Sequence, residues 1–243
     1  DLADICVDKP ISVGPCEGTS VDWNGEIYRL IDIGGQCWTE NMNHPADVGA
    51  FQYFPGPEAD RKPGEGLLYN STATRNGDDA NAERIQGICP DGFHVPSDCE
   101  FMALEASLGM SKEDQVEEGS NDTRFVDAPN ALREPAPGWG PVYPGAYFNT
   151  NGWLMRDTYE RYATSTGALT RVVHRDPNND NYNPDSIQKH VYGQPYYRQN
   201  VRCIADGTEV LGADLVAGEV EVDGGTCDGG GNNGGGFPGG VDN

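Results

Sequence analysis

Apolar and polar positions along this chain alternate in short runs and take up a clear helical spacing only once. Ile27-Tyr28-Arg29-Leu30-Ile31-Asp32-Ile33 is rich in strand formers. It is entered through Asp22-Trp23-Asn24-Gly25-Glu26, where Asn-Gly offers tight-turn chemistry, and it ends at Gly34-Gly35. From Pro45 to about Arg84, Pro, Gly, Asn and Asp recur at close intervals, as in Phe54-Pro55-Gly56-Pro57 and Asn76-Gly77-Asp78-Asp79. That stretch is predicted to be mostly loop, with only Leu67-Leu68-Tyr69 buried. The helical signal is Ser97-Asp98-Cys99-Glu100, a capping box in which Ser97 accepts from the amide three residues on while Glu100 reaches back. Phe101, Leu104 and Leu108 follow on one face, and Gly109 supplies the left-handed position that stops the helix. A second, shorter helix is predicted from Ser111 through about Glu117, before Gly119-Ser120-Asn121 breaks it.

Beyond these helices the pattern turns irregular. Between Ala128 and Ser165, five prolines interleave with Trp139, Tyr143, Tyr147, Phe148 and Trp153, which predicts short strands and loops packed by aromatic rings. The Asn- and Asp-rich loop Asp176-Pro177-Asn178-Asn179-Asp180-Asn181-Tyr182-Asn183-Pro184 precedes a final strand reaching Val201-Arg202-Cys203. Residues 203–243 hold eight Asp or Glu and no Lys or Arg, so the last segment reads as an appendage. Within it, Val210-Leu211 and Leu215-Val216 approach Glu219-Val220-Glu221-Val222, whose strict alternation predicts one or two strands around an Ala217-Gly218 turn. Gly224 to Gly240 has the composition of a linker.

The 243 residues suffice for one core with long loops and appendages. A formal charge of −23, from 39 acidic against 16 basic residues, repels phosphate backbones and anionic headgroups, so neither nucleic acid nor membrane insertion is expected. No apolar stretch approaches the length needed to span a bilayer, and Asp1 is taken as a processed terminus. The seven cysteines (Cys6, Cys16, Cys37, Cys89, Cys99, Cys203 and Cys227) are scattered without a Cys-x-x-Cys pair, which favours disulfides over zinc or thioredoxin-like chemistry. Disulfides persist in oxidising compartments, so the expected location is extracellular or on the cell surface.

Several segments, in order, now match one pattern: Asn24-Gly25-Glu26-Ile27-Tyr28, Ile33-Gly34-Gly35-Gln36-Cys37-Trp38-Thr39-Glu40-Asn41-Met42, and Gly66-Leu67-Leu68-Tyr69-Asn70. Cys89-Pro90-Asp91-Gly92-Phe93-His94-Val95-Pro96-Ser97-Asp98 follows, then Ala163-Thr164-Ser165-Thr166, Tyr192-Gly193 and Val201-Arg202-Cys203. The series resembles the Fibrobacter succinogenes major paralogous domain over residues 22–205, leaving 1–21 and 206–243 as terminal extensions. The resemblance implies an α+β, C-type-lectin-like fold with two helices, short antiparallel strands and long loops. It also implies a Cys89–Cys203 disulfide, a closure worth roughly a few kcal/mol. The remaining cysteines are assigned as Cys37 with Cys99 and Cys6 with Cys16, with Cys227 left over. The chain departs from the family at Tyr162-Ala163-Thr164-Ser165-Thr166 and in the insertion Gln194-Pro195-Tyr196-Tyr197-Arg198-Gln199-Asn200, so loop function does not carry over.

Candidate chemistry is sparse. His94 belongs to the family signature, and His44, His174 and His190 stand apart without ligand spacing. Gly-x-Ser-x-Gly, P-loop and dinucleotide fingerprints are missing, so no enzyme is expected. Asp176, Asn178 and Asp180 place oxygens at alternate positions and form the candidate calcium loop, although Asn181 and Ile187 replace the Gly and Glu of an EF-hand. A second, weaker cluster comprises Asn76, Asp78, Asp79 and Asn81. Ser186 in Asp185-Ser186-Ile187 fits an O-glycosylation acceptor pattern, and Asn70-Ser71-Thr72 and Asn121-Asp122-Thr123 fit the N-glycosylation sequon. The expected function is an extracellular structural or adhesive surface protein, a filament subunit whose extensions contact other copies or other surface proteins. Val220 and Val222 would add a strand to a neighbour's sheet edge, with Cys227 in the same tail. The alternative is a monomeric glycan- or ligand-binding module with a calcium-dependent pocket in the 135–200 loops.

Overall fold

The computed structural model describes residues 2–53, 58–79, 84–118, 124, 139–148, 152–154, 156–174, 187–191 and 197–217. Its strands are β1 (Pro10–Val13), β2 (Ser20–Trp23), β3 (Glu26–Ile33), β4 (Gln36–Thr39), β5 (Phe51–Gln52), β6 (Leu68–Tyr69) and β7 (Phe93–His94). They continue with β8 (Ala146–Phe148), β9 (Gly152–Leu154), β10 (Tyr159–Ala163), β11 (Leu169–His174), β12 (Ile187–Val191), β13 (Tyr197–Arg198), β14 (Ile204–Ala205) and β15 (Thr208–Leu211). The helices are α1 (Ser71–Arg75), α2 (Asp98–Ser107), α3 (Lys112–Val116) and α4 (Gly212–Ala217). The fold is α+β, and every pairing between these strands is antiparallel.

The central sheet runs in the order β2-β3-β4-β14-β7. Its first hairpin turns at Asn24 (φ 52°) and Gly25 (φ 82°), the doubly left-handed turn that matches strand twist, and Asp22 Oδ1 accepts from the Gly25 amide. On β3, Tyr28, Ile31 and Ile33 are buried. Helix α2 packs Phe101 and Leu104 against Trp38 of β4, with Trp139 and Tyr162 completing an aromatic stack. Trp38 lies 5.0 Å from Phe101 and 5.1 Å from Trp139 between ring centroids, and Trp139 meets Tyr162 edge-on. The capping box forms in full: the Glu100 amide donates to Ser97 Oγ and the Ser97 amide donates to Glu100 Oε2.

Four features differ from the sequence expectations. Two extra helices flank the expected pair. One is α1, capped at Asn70 and closed by left-handed Asn76 inside the segment read as loop. The other is α4, which contains Leu215 and Val216 where strand was predicted; its first two amides, of Gly212 and Ala213, donate to the carbonyls of Lys9 and Val7. The strand expected to reach Val201-Arg202-Cys203 is replaced by β14, which begins only at Ile204, although the Val201 and Cys203 carbonyls accept from the Met42 and Thr39 amides. Two disulfides are re-paired: Cys6 bonds Cys99 and Cys16 bonds Cys37, in place of Cys6 with Cys16 and Cys37 with Cys99. The reason is the path of the N-terminal segment. It crosses α2, which brings Cys6 within a 5.5 Å Cα separation of Cys99, and then returns along β4. Cys89 bonds Cys203, as the resemblance implies.

Candidate functional site

The terminal segments form one module. β1 and β15 pair from Pro10 with Leu211 to Val13 with Thr208, and the Gly212 and Ala213 amides donate to the carbonyls of Lys9 and Val7. Leu2, Cys6 and Ile11 bury themselves against Met102 and Ala103 of α2, so the described parts of both extensions share the core's packing. The Ala3 amide donates to Gln115 of α3 and the Ser12 amide to Glu100 of α2. Arg84 spans the module by donating to Ser12 Oγ and pairing with Glu209. β15 has β1 on one side; among the described residues its outer edge has no backbone partner. Ile5, at 58% exposure, and Leu211, at 49%, stand out on the same module.

Beneath α2 lies a buried ionic network that local pattern does not announce. Glu105 accepts from Arg124 Nη2 at 2.7 Å and from Arg171 Nε at 2.7 Å. Asp98 accepts from Arg171 Nη1 at 2.6 Å and Lys189 Nζ at 2.7 Å. All five side chains are almost completely buried. Burial alone would raise the Asp98 and Glu105 carboxyls, but the facing guanidinium and ammonium groups outweigh it and hold both below the usual range. His94 is likewise enclosed, with Nδ1 2.8 Å from Asp206 and Nε2 3.0 Å from Glu100. It joins β7 to α2 and to the start of the terminal module. These groups brace the fold, since each charge is met by an opposite charge or a hydrogen bond.

A cleft of about 390 Å³ lies between the turn end of the β2–β3 hairpin and the 61–66 loop. Its floor is Tyr28 and Asn43. Tyr28 is 2% exposed, and its Oη accepts from the Asn43 amide. Burial, with a lesser push from Glu26 and Glu40, raises that phenol to about 12, so it stays a neutral donor at physiological pH. Tyr53 Oη donates to Asn43 Oδ1 at 2.6 Å, and the Arg61 guanidinium covers the Tyr53 ring at 3.5 Å. The far wall is held by Arg156, which grips Glu65 at 2.8 Å, by the Lys62–Asp157 pair, and by Gly66 in a left-handed conformation against the Met42 carbonyl.

The cleft is lined by residues 26–66, with Arg156 and Asp157 of the 135–200 region bracing its far wall; much of that region, where a pocket was expected, lies outside the described residues. Asp176, Asn178, Asp180, Ser186, Val220, Val222 and Cys227 also lie outside them. Among the described residues no group of three His, Cys, Asp or Glu side chains is arranged to hold a metal. In the second Asx cluster, Asn76 closes α1 and Asp78 accepts from the Gly87 amide. Asn70 of the first sequon is spent as a cap, its Oδ1 accepting from the Ala50 and Ala73 amides. Sequence reasoning missed Tyr28, Asn43 and Glu40 as cleft residues. Tyr28 and Glu40 sit in the family-like segments and Asn43 directly follows one.

The three disulfides fit a protein that folds in an oxidising compartment, and no helix among the described residues is long and apolar enough to cross a membrane. The sequence profile described as the Fibrobacter succinogenes major domain matches residues 31–204. No curated protein and no solved structure matches the chain at comparable stringency. The chain belongs to the Fibrobacter succinogenes major domain family.

Proposed function

We propose that this member of the Fibrobacter succinogenes major domain family is an extracellular structural or adhesive protein of the cell surface, built on a C-type-lectin-like fold, whose copies join through their terminal segments. The observation that carries the reading is the terminal module. It is fastened to α2 by Cys6–Cys99, yet it leaves the outer edge of β15 without a backbone partner among the described residues, with Leu211 and Ile5 exposed beside it. An open edge of this kind is a ready template for an added strand. The Glu219-Val220-Glu221-Val222 segment has the sequence alternation that an added strand calls for. A non-enzymatic role agrees with the use of His94, Asp98 and Glu105 as internal braces.

Electron microscopy of the secreted protein tests the reading. Regular polymers are expected from the intact chain, and deletion of residues 218–243 or the pair Val220→Asp and Val222→Asp should leave monomers. Polymers that persist unchanged in these variants, or an intact chain that stays monomeric at high concentration, would overturn it.

A further inference from the structure

We infer that the cleft between the β2–β3 hairpin and the 61–66 loop binds a neutral polyhydroxylated ligand, a saccharide unit, without a metal. This activity is separate from assembly, because the cleft does not involve the terminal module. At about 390 Å³ it falls within the roughly 300–1,000 Å³ range of small-ligand sites.

The ligand class follows from which polar groups are committed and which are open. Asn41 is spent: its amide donates to the Glu65 carbonyl and to Glu160, and its oxygen accepts from Arg202. Glu65 and Lys62 are held by Arg156 and Asp157. Tyr28 differs. Its oxygen accepts one bond, but its hydroxyl proton has no acceptor among the described residues, although the side chain is almost entirely buried and lines the cleft. A buried donor left unmade costs stability, so such a group facing a cavity points to a partner supplied from outside. The Asn43 side chain has given its oxygen to Tyr53 and keeps its NH₂ donors. Glu40 uses Oε1 on the Arg29 amide and keeps Oε2, and the Glu26 carboxylate is exposed at the rim.

The open set therefore interleaves donors (Tyr28, Asn43) with acceptors (Glu40, Glu26). A hydroxyl group satisfies both kinds at once, donating to a carboxylate while accepting from a phenol or amide. A cationic ligand would meet Arg61 and Lys62, and an anionic one would meet Glu26 and Glu40; the mixture selects against either net charge. Ile27, 69% exposed at the mouth, offers an apolar contact for the C–H face of a ring.

The test uses the intact chain against immobilised cello-, manno-, malto- and xylo-oligosaccharides, with a chitosan oligosaccharide and a sulfated oligosaccharide as charged probes, all in EDTA. Saturable binding to at least one neutral probe is expected, with about tenfold weakening in Tyr28→Phe and in Glu40→Gln, the effect of one lost hydrogen bond. Thermal melting of each variant checks that the fold survives. The deletion of residues 218–243 should bind as the intact chain does, which separates failure of this site from failure of the assembly reading. Binding to none of the neutral probes, preference for a charged probe, or equal affinity in both folded variants would overturn the assignment.

Discussion

Glu105→Gln isolates what the ionic network under α2 contributes. The native carboxylate receives both guanidinium groups, Arg124 at 2.7 and 3.1 Å and Arg171 at 2.7 Å, and is 1% exposed. Glutamine matches its shape but turns one acceptor oxygen into an NH₂ that faces N–H donors, so one arm of the fork becomes a donor–donor contact. Arg171 keeps Asp98, whereas Arg124 is left with carbonyl partners alone at Asp114, Ile187 and Gln115. Breaking a buried pair from one side costs about 3–5 kcal/mol, a large share of the roughly 5–15 kcal/mol that stabilises a typical domain. For a chain of this size that corresponds to a Tm lowered by about 6–20 °C. The assay is urea unfolding with the disulfides intact, followed by the fluorescence of the buried Trp38 and Trp139. Adding Arg124→Gln should recover part of the loss, because it removes the stranded cation. A cost below about 1 kcal/mol for Glu105→Gln, the range of exposed pairs such as Lys62–Asp157, would refute the reasoning.

Other expectations follow from the same structure. Peptide mapping without reduction should recover Cys6 linked to Cys99 and Cys16 to Cys37; the alternative pairs would contradict the path of the N-terminal segment. Replacing Cys6 and Cys99 by serine should cost about 4–5 kcal/mol on the chain-entropy model for a separation of 93 residues, measured by urea unfolding. Burial, with Arg161 and His174 nearby, depresses His190 from 6.5 to about 4, so the unfolded chain takes up that proton first. Stability should therefore fall as the pH drops from about 6.5 toward 4, and His190→Gln should flatten that part of the thermal-midpoint profile. Gly87→Ala should cost more than about 1 kcal/mol, since φ is +60° and a Cβ would sit 2.1 Å from the Thr74 carbonyl; an unchanged melting midpoint would count against that geometry.

What the sequence made legible was local chemistry. The Asn24-Gly25 turn and the Ser97–Glu100 box each involve residues a few positions apart and form as read, and the second helix, read from Ser111 through about Glu117, spans Lys112–Val116. Helix α1 was hidden because a five-residue helix is too short to show a period, though its Asn70 cap and left-handed Asn76 were in plain view. Nothing local marks the burial of β11 and β12. Arg171 and Lys189 look like solvent-facing strand residues, yet both are buried against acids of α2 that lie 73 and 91 positions away. The exchanged disulfide partners have the same origin: they depend on where the first dozen residues travel, and that is decided by packing against α2. The cleft, too, is a meeting of segments, since Tyr28, Asn43 and Tyr53 touch only after the hairpin and the following loop have closed on each other.

The disulfide arrangement also determines how the molecule carries tension. A pull on the N-terminal segment passes at Cys6 into Cys99, and a pull on the C-terminal segment can peel α4 and β15 only as far as Cys203, which is bonded to Cys89. The shortest covalent route between the two ends therefore runs through the stretch from Cys89 to Cys99 and skips most of the intervening chain. Under load the terminal ribbon would give way like a zipper as far as β14, and the line of force would then cross the central sheet at β7 alone, while β2 and β3, the aromatic stack and the cleft stay off it. In an oxidising environment such a chain lengthens by a fixed amount and then holds.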